Sequence, residues 1–439
     1  MNQNQNVLVV DGGGRGHALA WRLAQSPRVK KVYIAPGNAG TAKVGSNVNI
    51  KVTDIGALLQ FVEQAGINFT VAPQDDSLAA GIVDAFQNRN FRIFGPTSAA
   101  TQIEADKAFA KLVMHSAGVN TAPFEIFDNY ERALAYVRKH GAPIVVKASG
   151  LALGKGAYVC KTMTEAEDAL NNIMVRCVHG AAGREVVIEE FLEGPEISAH
   201  AFCDGKTFSV FPTAQDHKPI FDGGHGPNTG GMGTISPVPW FDDYKMLGVE
   251  SICRKTLDKL DFLARPFTGC LYPGLKETPD GNLAVLEFNA RPGDPETQSY
   301  MRLLETDLFD ILEACVDGTL ADCRIEWNPG FAVCIVLASG GYPGGYKKGI
   351  PIFGIEEAEK IPGVEVFHAG TTMFEGQLVT SGGRVLGVTA LRDNLAEALQ
   401  TAYKAVDCIH FEGMQFRRDI GAESLARFRA QVALARSKM

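Results

Sequence analysis

Val285-Leu286-Glu287-Phe288-Asn289-Ala290-Arg291 is the segment from which the rest of the chain is best read. Strand alternation puts Val285, Glu287, Asn289 and Arg291 on one face and Leu286, Phe288 and Ala290 on the other. One face is core. The other sets a carboxylate, an amide oxygen and a guanidinium in a row. The plain alternative is a solvated strand face, but Asn and Arg are poor choices for ordinary strand positions. Oxygen ligands suit magnesium, and an arginine beyond them suits a phosphoryl group in transfer. Gly293-Asp294-Pro295-Glu296 follows directly and places more acid nearby.

Phosphate chemistry needs nucleotide loops, and the upstream chain offers several. Lys147-Ala148-Ser149-Gly150-Leu151-Ala152-Leu153-Gly154-Lys155-Gly156 lies between strand patterns at 144–147 and 157–160. It resembles a Walker loop, but is one residue short before Gly154-Lys155, and Gly156 stands where Ser or Thr would hold magnesium. Between two strands it reads as a hairpin flap that folds over ATP phosphates, with Lys147 beneath; the bland alternative is an exposed hairpin. Val187-Ile188-Glu189-Glu190-Phe191-Leu192-Glu193-Gly194-Pro195-Glu196 runs from an apolar strand into acids, a pattern that serves adenine and ribose or is merely solvated. Gln215-Asp216-His217-Lys218 and Gly226-Pro227-Asn228-Thr229-Gly230-Gly231-Met232-Gly233 sit in a glycine-dense stretch, 215–239, read as ligand-serving loop.

At the N-terminus, strand patterns at 7–10, 32–35, 69–72 and 91–94 alternate with helical ones, the rhythm of an open parallel sheet. Asp11-Gly12-Gly13-Gly14-Arg15-Gly16-His17 joins the first strand to a helix, a turn whose amides and Arg15 suit phosphate. A dinucleotide fingerprint is rejected: His17 stands where the third glycine belongs, and no ribose-binding acid ends the second strand. Helices are expected at 18–25, 106–117, 164–174, 302–316 and 395–409, and strands at 186–188, 270–275, 283–290, 332–338 and 385–390. The fold class is therefore α/β and α+β multidomain. The divisions fall at 1–105 (an open parallel sheet domain), 106–326 and 327–439 (a small α+β domain).

Composition narrows the setting. A net charge of −8 argues against a broad nucleic-acid surface, and no apolar run reaches the ~18 residues of a membrane span. Nine cysteines without a C-x-x-C pair indicate reduced thiols, and a polar N-terminus without a signal pattern points to the cytoplasm.

Taken in order, these segments resemble the glycinamide ribonucleotide synthetase (phosphoribosylamine–glycine ligase) family of ATP-grasp enzymes. The likeness covers nearly the whole chain, and Gly226 to Gly233 with Gly293 to Gln298 carry it most specifically. Further support comes from Ala35-Pro36-Gly37-Asn38-Ala39-Gly40-Thr41, Phe367-His368-Ala369-Gly370-Thr371, Gly382-Gly383-Arg384-Val385-Leu386 and Arg418-Asp419-Ile420-Gly421. No fused downstream domain is present, so the monofunctional form is expected. The resemblance implies that 106–326 is an ATP-grasp domain with a mobile lid at about 124–192, set between an N-terminal open-sheet domain and a C-terminal domain. It also implies a ligase that joins glycine to 5-phosphoribosylamine through glycyl phosphate, giving glycinamide ribonucleotide, ADP and phosphate in purine biosynthesis. ATP and Mg2+ (or Mn2+) are the implied cofactors, and a monomer or weak dimer is expected. Lys107, Lys147, Gly150, Gly154, Lys155, Gly156, Glu189, Leu192 and Glu196 would serve ATP, and Glu287 and Asn289 the metal. Arg291 would stabilise the transferring phosphoryl, with Asp216 and Asp294 on the amino acid's ammonium. Substrate contacts are expected at Gly14, Arg15, Gly37, Asn38, Gln74, Lys218, Asn228, Thr229 and Gly230.

Departures cluster on the acceptor side. The family's first turn resembles G-N-G-G-R-E-H, whereas this chain has glycine at Gly16; its G-P-E becomes Ala72-Pro73-Gln74. Pro219 and Pro292 replace an arginine and an aromatic. Two readings therefore stand beside the purine ligase: a paralogue that activates a carboxylate for a different amine or from a different amino acid, and a non-catalytic nucleotide-binding homologue.

Overall fold

The computed structural model describes residues 4–152 and 156–437. The first unit is a five-stranded parallel sheet in the order Ser46–Asn47, Val29–Ile34, Gln5–Val9, Phe69–Val71, Ile93–Phe94, its last three strands largely buried. Val7, Val9, Ile34, Phe69 and Val71 fill its core, as continuous apolar runs in a parallel sheet require. Its carboxyl ends deliver three turns to one edge: the glycine turn before helix Gly14–Leu23, Pro36-Gly37-Asn38, and Pro73-Gln74 before helix Asp75–Ala79.

Two antiparallel sheets follow. One has the order Phe124–Phe127, Val186–Glu190, Ile144–Ala148, Ala157–Cys160. The other is built on the ten-residue strand Thr268–Glu277, which pairs with Glu196–Ser198, Ala201–Asp204 and Leu283–Asn289. A third sheet runs Gln215–Asp216, Gly233–Ser236, Phe331–Ala338, Arg384–Arg392, Val364–His368, with helix Leu395–Val406 supplying Ala398, Leu399 and Ala402 to its core.

Several local expectations are corrected. The stretch 215–239 is not loop throughout: it holds four short strands, two of them extending the third sheet. The helix expected at 302–316 is two, Glu296–Leu303 and Leu308–Asp317. The break occurs because Asp307 caps the second helix, its carboxylate accepting from the Phe309 amide at 2.9 Å. The helix expected at 164–174 is α-helical over Met163–Leu170 and continues as a π-turn over Asn171–Val175. Helix Asp243–Phe262 was not anticipated. No helix among the described residues is long and apolar enough to cross a membrane.

Candidate active site

Strand Leu283–Asn289 is the floor of a cleft of about 200 Å3 lined by Lys107, Lys111, Lys147, Glu189, Lys218, Glu287, Asn289 and Arg291. The strand does not alternate as expected. Leu275 pairs with Val285 and Gly274 with Glu287, so Leu286 is bulged out of register. Val285 therefore turns into the core with Phe288 and Ala290, while Leu286 joins Glu287 and Asn289 at the cleft. The bulge also frees the Leu286 carbonyl to accept from Lys147 Nζ at 2.9 Å.

Charge is densely paired here. Glu189 is buried at the end of an interior strand and holds two ammonium groups, Lys147 at 2.9 Å and Lys111 at 3.1 Å. Lys111 also donates to Thr121 Oγ1 at 2.6 Å. Burial drags Lys111 down to about 8, against the pull of Glu189. Glu287 is held at about 2: burial opposes its ionisation, but Lys218, Lys147, Lys107 and Arg291 outweigh it. Burial opposes the charge on Lys218, but Glu196, Glu287, Asp216 and Glu296 outweigh it and raise that ammonium. Arg291 is fastened by Asn289 Oδ1 at 2.9 Å and Glu104 at 3.1 Å, and its Nε has no partner among the described residues. Glu104 is itself pushed up by burial, which Arg291 offsets, and accepts from the Ala290 amide at 2.7 Å.

The loop 226–233 forms the far wall. Asn228, Thr229 and Gly230 line the cleft, and Thr229 Oγ1 donates to the Lys218 carbonyl at 2.7 Å. Asp216 lines it as well; burial, with Glu296 near, pushes its carboxyl well above the usual range. A neighbouring space of about 350 Å3, lined by Gly12, Gly13, Gly37, Asn38, Thr371, Ser381 and Arg384, lies where the first unit meets the third sheet. Asp294 lines both spaces. Its carboxyl stays below the ordinary range because Arg384 and Arg15, with a 2.8 Å hydrogen bond from Gln298, overcome burial. Arg384 Nη1 donates at 2.7 Å to the carbonyls of both Gly230 and Asp294, tying residues 226–233 to the turn that follows strand Leu283–Asn289.

Not every expected residue faces a space. Arg15 is buried, its Nε on Asp11 at 3.0 Å and its Nη1 on the Pro292 carbonyl at 3.0 Å. Gly14 approaches Gln298 so closely that a Cβ would lie 2.5 Å from its Nε2. Asn38 reaches the second space, but its amide bridges the carbonyls of Gly12 and His368 at 3.1 and 2.9 Å. Gln74 ends the strand connection, and the cleft wall there is Asp75. Leu192 offers its carbonyl to Lys276 at 3.2 Å, and Glu196 lines a side space with Ser198 and Tyr272. Gly150 and Gly156 bracket the hairpin, whose Leu151 and Ala152 roof the cleft; Gly154 and Lys155 lie outside the described residues.

Sequence reasoning passed over Lys111, Glu104 and Tyr272, and quoted Arg384 only within the segment 382–386, with no role. Lys111 was findable, four residues after Lys107 on one helical face. Glu104 and Tyr272 act through contacts distant in sequence and carry no local signal.

Three family models match in succession: phosphoribosylglycinamide synthetase N domain over residues 5–104, its ATP-grasp (A) domain over 105–297 and its C domain over 332–423. A phosphoribosylamine–glycine ligase of Ralstonia nicotianae is 47% identical over 423 residues, 96% of this chain and 100% of that one. Another, from Rhodopirellula baltica, is 45% identical over 428 residues, 96% of this chain and 98% of that one. The crystal structure of phosphoribosylamine–glycine ligase from Thermotoga maritima matches with a TM-score of 0.83 at 34% identity, covering 94% of this chain and 100% of that chain.

Proposed function

The chain belongs to the phosphoribosylglycinamide synthetase family, and from that premise we propose that it joins glycine to 5-phosphoribosylamine at the expense of ATP. It is an ATP-grasp ligase of purine biosynthesis. A carboxylate is a poor electrophile; transfer of the γ-phosphoryl forms a C–O–P bond, breaks the bond to ADP and supplies a leaving group. The amine then forms the C–N bond, phosphate departs and the nitrogen sheds a proton.

The observation that carries this reading is Asp294, whose carboxylate lines both the lysine-rich cleft and the space beside the glycine turn. Lys107 and Lys147 meet the nucleotide phosphates on one side, under the lid formed by residues 124–192. On the other side, the glycine-turn backbone, Thr371, Ser381 and Arg384 suit the sugar phosphate. Arg291, positioned by Asn289 and Glu104, lines the cleft and brings its guanidinium charge to charge developing on the phosphoryl. Asp216 and Asp294 take the glycine ammonium; a cation arriving beside Asp216 returns the charge that burial suppresses.

A divalent metal fits the donors present. Glu287 is an ionised carboxylate and Asn289 Oδ1 an amide oxygen two residues along the same strand. No group of three His, Cys, Asp or Glu side chains placed to hold a metal occurs among the described residues, so phosphates and water would complete the shell, which suits magnesium or manganese. Bound there, the metal would neutralise charge on the phosphates.

The test is product mass and phosphate release with MgATP and glycine, with and without freshly made phosphoribosylamine. Glycinamide ribonucleotide formed with one phosphate per amide is the expected result. ATP binding without product would return the non-catalytic reading, and glycine activation that ignores phosphoribosylamine the altered-acceptor reading.

A further inference from the structure

Two positions made the acceptor side look depleted of carboxylate, Gly16 and Gln74. In three dimensions both gaps are filled by neighbours. A Cβ built on Gly16 would lie 2.5 Å from Asp11 Cβ, 2.9 Å from its Cγ and 3.2 Å from its Oδ1. Asp11 thus occupies the volume that a side chain at residue 16 would need. Its buried carboxylate accepts from the Gly13 amide at 2.6 Å and pairs with Arg15 at 3.0 Å. Arg15 in turn donates to the Pro292 carbonyl, beside Arg291. The acid therefore braces the glycine turn against the catalytic turn from position 11.

The second gap closes one residue along the chain. Gln74 ends the connection from strand Phe69–Val71, and Asp75 opens the next helix with its side chain in the cleft wall. Asp75 is half-buried, near Glu104 and Arg291, and makes no hydrogen bond or ion pair among the described residues. Asp76, by contrast, does not line the cleft and faces Arg15 and Asp75. A half-buried carboxylate that feels the phosphoryl-transfer arginine electrostatically but accepts no hydrogen bond among the described residues has its oxygens open to donors. A sugar amine has them, in its hydroxyls and its nitrogen.

We propose that Asp75 is the specificity carboxylate that receives the amine substrate's N–H and O–H groups, and that Asp11 is a positioning residue holding the glycine turn. Together they replace in space the acids absent at Gly16 and Gln74. The proposal rests on the ligase reading above and names residues that would carry its acceptor half. It also reverses the meaning of a simple reversion. Gly16→Glu alone forces its Cβ into Asp11 and is expected to damage the turn, whereas Asp11→Gly with Gly16→Glu vacates the space first.

The experiment compares two rates on the full-length enzyme: amide formation with phosphoribosylamine, and glycine hydroxamate formation with hydroxylamine as a small acceptor. Both need glycyl phosphate; only the first needs recognition of the sugar. Asp75→Asn is expected to raise the KM for phosphoribosylamine and to lower the ratio of the two kcat/KM values about tenfold, the scale of one hydrogen bond to a charged group. Asp75→Glu should recover part of the loss, and Asp76→Asn should keep the wild-type ratio. Gly16→Glu and Asp11→Gly should each lower the ratio and the melting temperature, and the double variant should regain both. A wild-type ratio in Asp75→Asn overturns the role of Asp75 while leaving the ligase reading intact. A double variant no better than the worse single one overturns the role of Asp11. Wild-type enzyme that makes the hydroxamate but no amide from phosphoribosylamine overturns the acceptor reading and this proposal with it.

Discussion

Lys111 is almost fully buried yet charged, kept so by Glu189 and the Thr121 hydroxyl. Because burial lowers it from 10.5 to about 8, its two states separate within reach of ordinary buffers. Below about pH 8 the ammonium is protonated whether folded or unfolded. Between there and 10.5 the unfolded chain holds the extra proton, so this group's contribution to stability improves as pH rises. Function runs the other way, since the cleft proposed for the nucleotide loses one of its lining cations. The KM for MgATP is therefore expected to climb as pH passes about 8, and in Lys111→Met to be high already at neutral pH and flat above it. Parallel pH profiles for the two proteins would remove Lys111 from nucleotide binding. Arg291 gives a sharper case. Lysine in its place keeps a charge but cannot hold Asn289 and Glu104 while offering a further donor. Arg291→Lys should lower kcat by about 100-fold or more with little change in KM for ATP, the loss usual for one transition-state donor. A change confined to KM would make the arginine a binding group instead. Arg291 stood at the end of a readable strand and Lys111 at helical spacing from Lys107, whereas the exchange between Asp11 and Gly16 appears only when the turn is folded.

The hairpin Ile144–Ala148 to Ala157–Cys160 depends on a close approach at its root. The Gly150 amide donates to the Ala182 carbonyl at 3.0 Å, and a Cβ on Gly150 would sit 2.7 Å from Ala182 Cα. Backbone cannot yield there as a side-chain tip can. Gly150→Ala should therefore lift the hairpin from residues 180–183 and raise the KM for ATP about tenfold, in line with the ~1–3 kcal/mol typical of overpacking. Equal ATP affinity in variant and parent would show that the hairpin root does not govern the roof. This element was readable because glycines broke an apolar alternation on both sides. The bulge at Leu286 was not, since bulges are defined by the partner strand's register, here Thr268–Glu277. Strands Gln215–Asp216 and Gly233–Ser236 are too short to carry a period; Phe331–Ala338, about a hundred residues on, makes them strands. Helix Asp243–Phe262 does have Val249, Ile252, Cys253, Leu257 and Leu260 at helical spacing, but charged residues dilute the stripe.

At the scale of the molecule, the space proposed for the sugar phosphate lies where the first unit docks on the third sheet, and two histidines sit in that seam. The His368 amide donates to His17 Nδ1 at 2.8 Å, and His368 Nδ1 contacts Thr371 Oγ1 at 3.0 Å. His17 must be neutral to accept. Burial, then His368 and Lys43, hold it at about 3; burial and Lys43 hold His368 at about 4. The ordinary value is 6.5, so between that and the folded values the unfolded chain binds more protons and stability falls as pH drops. Each unit of displacement is worth about 1.4 kcal/mol. The cost falls first on the seam, because Asn38 and Ala39 bond the carbonyls of His368 and Thr371 across the same contact. Acidification from about pH 7 to about pH 5 should therefore lower the melting temperature. It should also weaken binding of a phosphorylated sugar before it weakens binding of MgATP, for which the other cleft is proposed. His17→Asn keeps an oxygen acceptor for the His368 amide and removes one proton site, so its melting temperature should be lower at neutral pH but less steep in acid. If its acid slope matches the parent's, the seam histidines are not what acid attacks, and the carboxylate pairs Arg28–Asp310 and Arg92–Asp317 elsewhere on the first unit's docking face become the place to look.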